Sequence, residues 1–254
     1  MADVPSPIAP TRSVIDSLEA SLEHIMLLPN DPDYALRNGS YYSNSAKLRP
    51  VCILQPQSTS EVAEAVKTLV AGRHHFAVRS GGCNFWPSNN IDDGVTIDLN
   101  LLDAIEYDKE ADTVSIGPGA RWGQVYEELE KYDRTVGGGR ETSVGVGGLV
   151  LSGGNNFFSG GHGLTCDQAI AFEVVLANGD IVLAKEGAEH GDLLIALRGG
   201  GSNFGVVTRI TMRTIPCGLV WGGGRVFSTE VMFADAAKSL VEITDSIAED
   251  HNHY

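Results

Sequence analysis

The chain has 254 residues, 43% of them hydrophobic, which is enough to bury one large core or two smaller ones. Its formal net charge of −15, from 18 basic and 33 acidic residues, creates a long-range field of the wrong sign for binding nucleic acid or an anionic membrane. No apolar run approaches the roughly 18 to 20 residues that a membrane-spanning helix needs.

The N-terminus and the cysteines favour a cytoplasmic protein with reduced thiols. The opening sequence MADVPSPIAP lacks a basic region followed by an apolar region, so it is not typical of a secretory signal. Cys52, Cys83, Cys166 and Cys217 are widely separated and show no CxxC or Cys/His spacing of the kind that zinc needs. We therefore expect mostly buried thiols and no metal site.

The first third of the chain alternates helical and strand patterns and ends in a glycine turn. The first predicted element is a helix capped by Ser13, with apolar residues at helical spacing: Ile15, Leu18, Leu22, Ile25 and Met26. Irregular chain over residues 30–49 and a strand at 51–54 follow. A second helix, capped within residues 58–60, carries Val62, Val66, Leu69 and Val70 and ends at Gly72, and a strand follows at 76–78. The last strand runs directly into the turn 79–84. This βαβ pattern ends in a loop that suits a phosphate.

The rest of the chain predicts short strands with helices between them. Strands are predicted at 95–99, 104–107 and 113–116, followed by a helix at 122–132 with Trp122, Val125, Leu129 and Tyr132 on one face. Strands at 172–176 and 181–184 come next, and then a helix at 192–197 that Gly199 ends. A strand at 205–215 ends at Pro216, and residues 221–227 lead into a helix at about 233–247. Asn178-Gly179 is a strong hairpin signal between the strands that flank it. The arrangement predicts an α+β fold.

Residues 137–205 hold 18 of the 30 glycines in 69 residues. A flexible linker would be polar and without apolar spacing, whereas these glycines stand among Val, Leu and Phe. Glycine brings backbone close to a neighbour or permits a positive φ, at an entropic cost that a specific contact must offset. The segment therefore predicts a ligand that lies along the main chain.

Common nucleotide-binding, zinc-binding and hydrolase motifs are missing from the sequence. A Rossmann GxGxxG needs a third glycine after Gly145 and Gly147, and Val150 stands there. No lysine follows a glycine, which excludes a Walker A loop, and neither HExxH nor GxSxG is present. Nicotinamide and ATP chemistry are disfavoured.

Four ordered segments resemble a known family. They are FAVRSGG at 76–82, SVGVGG at 143–148, FEVV at 172–175 and ALRGGGSNFG at 196–205. Together they resemble the FAD-binding domain of the vanillyl-alcohol-oxidase, or PCMH, type, as found in fungal and bacterial oxidases similar to berberine-bridge enzyme and 6-hydroxynicotine oxidase. The resemblance covers about residues 46–217 and implies two α+β subdomains with FAD between them. Residues 1–45 would then be a leader and helix, and residues 218–254 the start of a truncated substrate domain.

The resemblance also implies which residues bind the cofactor. In this family the loop that matches 79–84 wraps the FAD pyrophosphate with backbone amides, and the segment that matches 143–153 runs along the pyrophosphate and the flavin. The implied cofactor-binding residues are Arg79, Ser80, Gly81, Gly82, Cys83, Asn84, Ser143, Val144, Gly147, Gly148 and Gly153. Ser143 would supply a hydroxyl, and the glycines would leave room for the ligand.

Four polar residues near the glycines allow two interpretations. Arg79 and Arg198 either bind an anion or pair with one of the many carboxylates. His162 either takes a substrate proton, because imidazole titrates near neutrality, or makes a hydrogen bond within its loop. Asp167 is interpreted mainly as a turn or cap residue. No catalytic residue is assigned.

Departures from the family bear on the cofactor linkage. Cys83 stands where many relatives carry the histidine that bonds to the flavin 8α carbon, so we predict that FAD is bound non-covalently. Near Ser143 the chain also lacks the cysteine that doubly linked relatives attach to flavin C6. Without a full substrate domain the flavin face would be open, which favours self-association or a covering partner.

Three functions follow as hypotheses. The favoured one is an FAD-linked oxidoreductase of secondary metabolism, which takes hydride from a C–H next to O or N of a small molecule onto flavin N5 and is reoxidised by dioxygen. The second is a flavin-binding pseudoenzyme or a non-redox cyclase. The third is a structural protein with empty glycine loops.

Overall fold

The structure, a computed structural model, describes residues 11–218 and 229–249. Its elements in chain order are α1 Thr11–Leu22, β1 Met26–Leu27, α2 Pro32–Gly39, β2 Cys52–Leu54, α3 Thr59–Ala71, β3 Phe76–Arg79, β4 Val95–Asp98, β5 Ile105–Asp108, β6 Thr113–Ile116, α4 Trp122–Glu130, β7 Arg134–Thr135, α5 Val146–Leu151, α6 Ser159–His162, β8 Ala169–Val175, β9 Ile181–Lys185, α7 Gly191–Leu197, β10 Val206–Arg213, β11 Ile215–Pro216 and α8 Phe233–Glu249. The mixture of helices and sheets confirms the α+β class. The predicted lead-in at 221–227 lies outside the described residues.

The first subdomain is a four-stranded sheet covered by helices. Its strand order is β1-β2-β4-β3, with β2 and β3 each parallel to β4 and β1 antiparallel to β2. Because α3 repeats apolar residues at helical spacing, Val62, Val66 and Leu69 are buried in the same core as Leu18 and Leu22 of α1. The Ser58 hydroxyl accepts a hydrogen bond from the Glu61 amide at 3.3 Å, and α3 ends at Gly72, as predicted.

The second subdomain is a five-stranded antiparallel sheet in the order β5-β6-β10-β8-β9. The amphipathic helix α4 packs Trp122, Val125 and Leu129 into the core of this sheet. The predicted hairpin of β8 and β9 is confirmed, with Gly179 at a φ of +87° in its turn.

The two subdomains meet along α3. Val175 at the end of β8 and Val206 at the start of β10 are buried in the core of the first subdomain. At the same junction Thr59 donates a hydrogen bond of 2.7 Å to the Glu173 carboxylate. Residues of β3, the last residue of β8 and the first residues of β10 line one cleft between the subdomains.

Some sequence predictions of local structure are wrong. Residues 30–49 are not irregular, because they contain α2 and a short 3-10 turn; Pro32 starts α2, and the buried Tyr34 donates to the Pro50 carbonyl at 2.6 Å. Ser13 lies inside α1 and is therefore not its N-cap. The segment after Thr214 is a separate strand, in which Pro216 pairs with β7.

Two residues predicted on apolar faces are exposed. Val70 and Tyr132 are 43% and 45% accessible, because each lies at the end of its helical pattern, where the core no longer covers it. No helix in residues 11–218 and 229–249 is long and apolar enough to cross a membrane. The domain boundaries at 45/46 and 217/218 stay predictions, although α1 already shares a core with α3.

Candidate functional site

A cleft of about 920 Å³ lies between the two subdomains. The first subdomain contributes α3, β3 and the loop 80–84, and the second contributes α5 and the residues that lead from 201 into β10. Apolar side chains line much of its wall, including Val66, Phe76, Leu149 and Phe204. Its size is within the range of roughly 300 to 1,000 Å³ that is usual for small-molecule sites.

The loop 80–84 follows β3 directly and is held from several sides. The Ser80 hydroxyl donates to the Pro118 carbonyl at 2.5 Å, and the Tyr42 amide donates to the Gly82 carbonyl at 3.0 Å. Gly82 has a φ of +66°, a left-handed conformation that glycine adopts without strain. The loop is therefore fixed before any ligand arrives.

The segment 143–148 lies against this loop at backbone distance. A Cβ at Gly81 would lie 2.7 Å from the Cα of Gly145, and a Cβ at Gly145 would lie 2.5 Å from the Cα of Gly81. Real Cβ atoms do not approach backbone so closely, so both positions need glycine for the two loops to touch. Gly147 is similarly enclosed, because a Cβ there would lie 2.9 Å from the Ser80 hydroxyl oxygen.

Gly148 differs from these neighbours. It is exposed in the first turn of α5, lines the cleft, and a Cβ there would meet no atom within 4 Å. The prediction that glycines leave room for a ligand thus fits Gly148. Gly81 and Gly147 also serve the packing of one loop on another, and room for a ligand beside them stays a prediction.

Eight of the predicted site residues line the cleft: Ser80, Gly81, Gly82, Cys83, Asn84, Val144, Gly147 and Gly148. Gly153 does not line it, and its carbonyl accepts the Cys166 amide at 2.8 Å. Ser143 does not line it either, because its hydroxyl donates to the Glu141 carboxylate. The Ser143 hydrogen bonds hold the pKa of Glu141 below its usual value.

Arg79 is buried, and its guanidinium does not line the cleft. It donates to the Arg37 carbonyl and to the Ser40 hydroxyl, both at 2.8 Å, and lies 3.5 Å from the Asp98 carboxylate. Its plane stacks 3.8 Å from the centre of the Tyr41 ring. Of the two interpretations of Arg79, the structure favours the carboxylate pair, and the guanidinium is not a direct ligand in the cleft. Burial lowers its pKa, while Asp98 opposes that shift.

Arg121 is a site residue that the sequence analysis missed. Its Nη1 donates to the Ser143 carbonyl at 2.8 Å and lies 3.5 Å from the Cys83 sulfur, so it bridges the two glycine loops. No local motif marks it, since it stands before α4 and only the fold brings it to the loops.

The remaining polar candidates have structural roles. Arg198 donates from Nε and Nη2 to the Ala169 carbonyl, at 3.0 and 2.6 Å, and so fits neither of its two interpretations. Asp167 accepts the Leu164 amide at 2.8 Å, which confirms the cap interpretation. The ring of His162 lies edge-on to Phe158, with centroids 6.5 Å apart, and it does not line the cleft.

Cys83 contributes its sulfur to the wall of the cleft. It is partly buried, and its sulfur lies 3.5 Å from the Gly81 carbonyl as well as from Arg121. Among the residues that the structure describes, no charged side chain lines the cleft. The apolar side chains of the wall suit flat rings, and the main-chain amides of the glycine loop 80–84 suit an anionic group. The cleft therefore suits a ligand that combines the two.

Comparison with known proteins agrees with this geometry. The family model described as FAD binding domain matches residues 50–185. The FAD-dependent monooxygenase drtC of Aspergillus calidoustus is 40% identical over 225 residues, a match that covers 87% of this chain and 43% of the relative.

Solved structures of oxidases also resemble this chain. The 6-hydroxy-D-nicotine oxidase of Arthrobacter nicotinovorans superposes with a TM-score of 0.71 at 29% identity, over 75% of this chain and 42% of that one. The xylooligosaccharide oxidase of Myceliophthora thermophila superposes with a TM-score of 0.74 at 29% identity, over 80% of this chain and 43% of that one. The chain thus spans less than half the length of these relatives.

Proposed function

The chain belongs to the family of PCMH-type FAD-binding domains, and from that membership we propose that the protein acts as an FAD-dependent oxidoreductase on a small organic molecule. The observation that carries the proposal is the pair of glycine loops that meet at the wall of a cleft of about 920 Å³. A ligand-binding role is favoured over a structural role with empty loops, because loops that served only each other would not need the open space beside Gly148. The names of the relatives, which are FAD-dependent monooxygenases and oxidases, support redox chemistry for that ligand.

The residues of the cleft fit FAD. Main-chain amides of the loop 80–84 would hold the diphosphate, since a turn with successive exposed N–H groups forms a concave anion site. The apolar wall, which includes Val66, Phe76 and Leu149, would cover the flat rings and exclude water from them. Gly148 would give the cofactor close access to the backbone of α5.

We propose that the linkage is non-covalent, with Cys83 beside the cofactor. Its thiol stands on a shorter side chain than the histidine that links flavin in many relatives, and its sulfur lies 3.5 Å from both Arg121 Nη1 and the Gly81 carbonyl. When bound, FAD supplies the redox chemistry by accepting hydride at N5 from a carbon next to oxygen or nitrogen, with dioxygen as the proposed reoxidant. The substrate pocket and the base are expected from parts of the full-length relatives that this chain does not match.

The absorbance spectrum of the purified chain tests the proposal. We expect flavin bands that survive desalting, and their bleaching on anaerobic addition of an oxidisable substrate to a form that includes the substrate domain. A colourless protein that does not bind added FAD would contradict the proposed function. Flavin bands that no candidate substrate bleaches would instead support a flavin-binding protein without redox turnover.

Self-association also stays a proposal. The helix α8 leaves Phe233, Leu240 and Ile243 between 55% and 74% exposed, an unusual amount of apolar surface for one helix. Sedimentation velocity over a range of protein concentrations tests it, and a single monomeric species at all concentrations would contradict it.

A further inference from the structure

The cleft presents an electrostatic problem for an anionic ligand. The whole chain carries a formal net charge of −15, and no charged side chain is found among the described residues that line the cleft. A diphosphate entering such a cleft would be repelled by the field of the protein unless a positive charge lies close behind the wall.

Arg79 lies directly behind the loop 80–84. A Cβ at Gly82 would lie 2.8 Å from its Nε and 2.9 Å from its Nη2, so the guanidinium supports the main chain of the loop. Its Nε is buried and has no hydrogen-bond partner among the described residues. The other guanidinium nitrogens are held by the Arg37 carbonyl and the Ser40 hydroxyl.

The charge of Arg79 is only partly neutralised by its neighbours. Asp98 is fully buried and is the carboxylate that pairs with Arg79, but it forms its closer contacts with Arg37, whose Nη2 lies 2.7 Å from Oδ1. Two guanidinium groups therefore share one carboxylate. The buried cluster of Arg37, Asp98 and Arg79 carries a net positive charge under the glycine loop.

Arg121 is a second cation close to the same loop. Its Nη1 would lie 3.1 Å from a Cβ at Gly81, and it reaches the Cys83 sulfur at 3.5 Å. The loop 80–84 thus has arginines next to Gly81 and Gly82, and neither arginine lines the cleft.

We infer that Arg79 is a positioning residue for the diphosphate: it supplies positive potential through the loop 80–84, with Arg121 in a supporting role, while the amides of the loop make the direct contacts. This inference rests on the proposed FAD function and specifies how that site recognises its anionic part. A buried cation behind an amide loop acts at low dielectric, where screening by salt is weak, and it needs no rearrangement on binding.

The test compares two flavins that differ in the diphosphate and adenosine. The purified 254-residue protein is stripped of flavin and titrated with FAD and with riboflavin, following the quenching of flavin fluorescence. The variants are Arg79→Met, which removes the charge at similar length, Arg79→Lys, which keeps it, and Arg134→Met as a matched control. Arg134 pairs with Asp112 at 2.8 Å and does not line the cleft, so its loss changes the net charge equally.

We expect Arg79→Met to weaken FAD binding on the order of tenfold while riboflavin binding changes less than about twofold. Arg79→Lys should keep most of the preference for FAD, and Arg134→Met should change neither affinity. Equal weakening of both flavins by Arg79→Met would overturn the inference, because a merely structural role predicts that result. If circular dichroism shows that Arg79→Met is unfolded, Arg121→Met replaces it. We then expect weaker FAD binding with little change in riboflavin binding, and equal weakening of both would contradict the inference. A wild-type protein that binds neither flavin would instead refute the proposed function.

Discussion

The two glycine loops that meet at the cleft use glycine in different ways. In the loop 80–84 the glycines are enclosed, with Gly81 against the backbone of Gly145 and Gly82 against the guanidinium of Arg79. In the segment 143–148, Gly145 and Gly147 are enclosed as well, but Gly148 faces open space. Glycine therefore fixes the shape of the site in both loops, and only in the second loop does it also leave room for a ligand. Stability and cofactor affinity should respond differently to substitutions in the two loops.

The largest expected effect is the loss of stability in Gly81→Ala. The added Cβ would lie 2.7 Å from the Gly145 Cα, and backbone on both sides prevents an easy adjustment. We expect the free energy of unfolding to fall by about 1 to 3 kcal/mol, with FAD binding lost as the loops separate. Urea unfolding followed by circular dichroism measures the change. Gly39→Ala is the control, since Gly39, like Gly81, is not among the glycines with a positive φ, but it has no atom within 4 Å of its Cβ position. A Gly81→Ala variant as stable as wild type would show that the loops do not touch.

Gly148→Ala and Gly148→Val should separate stability from affinity. Because Gly148 lies in α5 with open space around its Cβ position, alanine should stabilise the fold slightly, by up to about 1 kcal/mol. The side chain would project into the cleft, so FAD binding should weaken, on the order of tenfold for valine. Thermal unfolding and FAD titration of the same samples measure both quantities. Unchanged FAD affinity in Gly148→Val would place the cofactor elsewhere.

Much of the fold could be predicted from the sequence, because periodicity and turn chemistry decide it locally. The cap at Ser58, the end of α3 at Gly72 and the hairpin at Asn178-Gly179 depend on residues close in the chain. The roles of the individual glycines could not be predicted. Whether a glycine faces backbone or open space depends on the other loop, about 60 residues away in the chain.

The arginines show the same limit of sequence analysis. Arg79 was recognised within a glycine motif, yet its partner Asp98 comes from the neighbouring parallel strand β4, and Arg37 comes from a helix that was predicted as irregular chain. Arg121 belongs to no motif at all. Long-range pairing decides whether such a cation faces a ligand or supports a loop from behind.

The next prediction concerns Cys83 and asks whether the loop 80–84 binds flavin without a covalent bond. We expect flavin to be released into the supernatant when the holoprotein is precipitated with acid, since position 83 offers a thiol on a short side chain where many relatives carry the linking histidine. Cys83→Ser should change FAD affinity by less than about fivefold, because the smaller oxygen keeps a polar contact with Arg121. A yellow pellet with flavin on the peptide that contains Cys83 would contradict non-covalent binding.

The smallest expected effect concerns Asp112, a charged site remote from both glycine loops. Its carboxylate accepts hydrogen bonds from the Thr214 hydroxyl, the Tyr107 hydroxyl and Arg134, and these hold its pKa below the usual value, with the Thr214 contribution largest. A folded-state pKa below the unfolded one stabilises the protein at pH values above the unfolded pKa, and that contribution disappears as the pH falls through the folded pKa.

Asp112→Asn should therefore destabilise the protein at pH 7 and lose its effect at strongly acidic pH. The Asp112 side chain is 42% exposed to solvent, so screening limits the difference to less than about 1 kcal/mol. FAD affinity should not change, because Asp112 does not line the cleft. Urea unfolding of both proteins from pH 7 down to about pH 1.5, with FAD titration at pH 7, measures both quantities. A difference in stability that persisted at the lowest pH would assign the role of Asp112 to hydrogen bonding alone, and a weakened FAD affinity would show that the effects of the cleft extend beyond the two glycine loops.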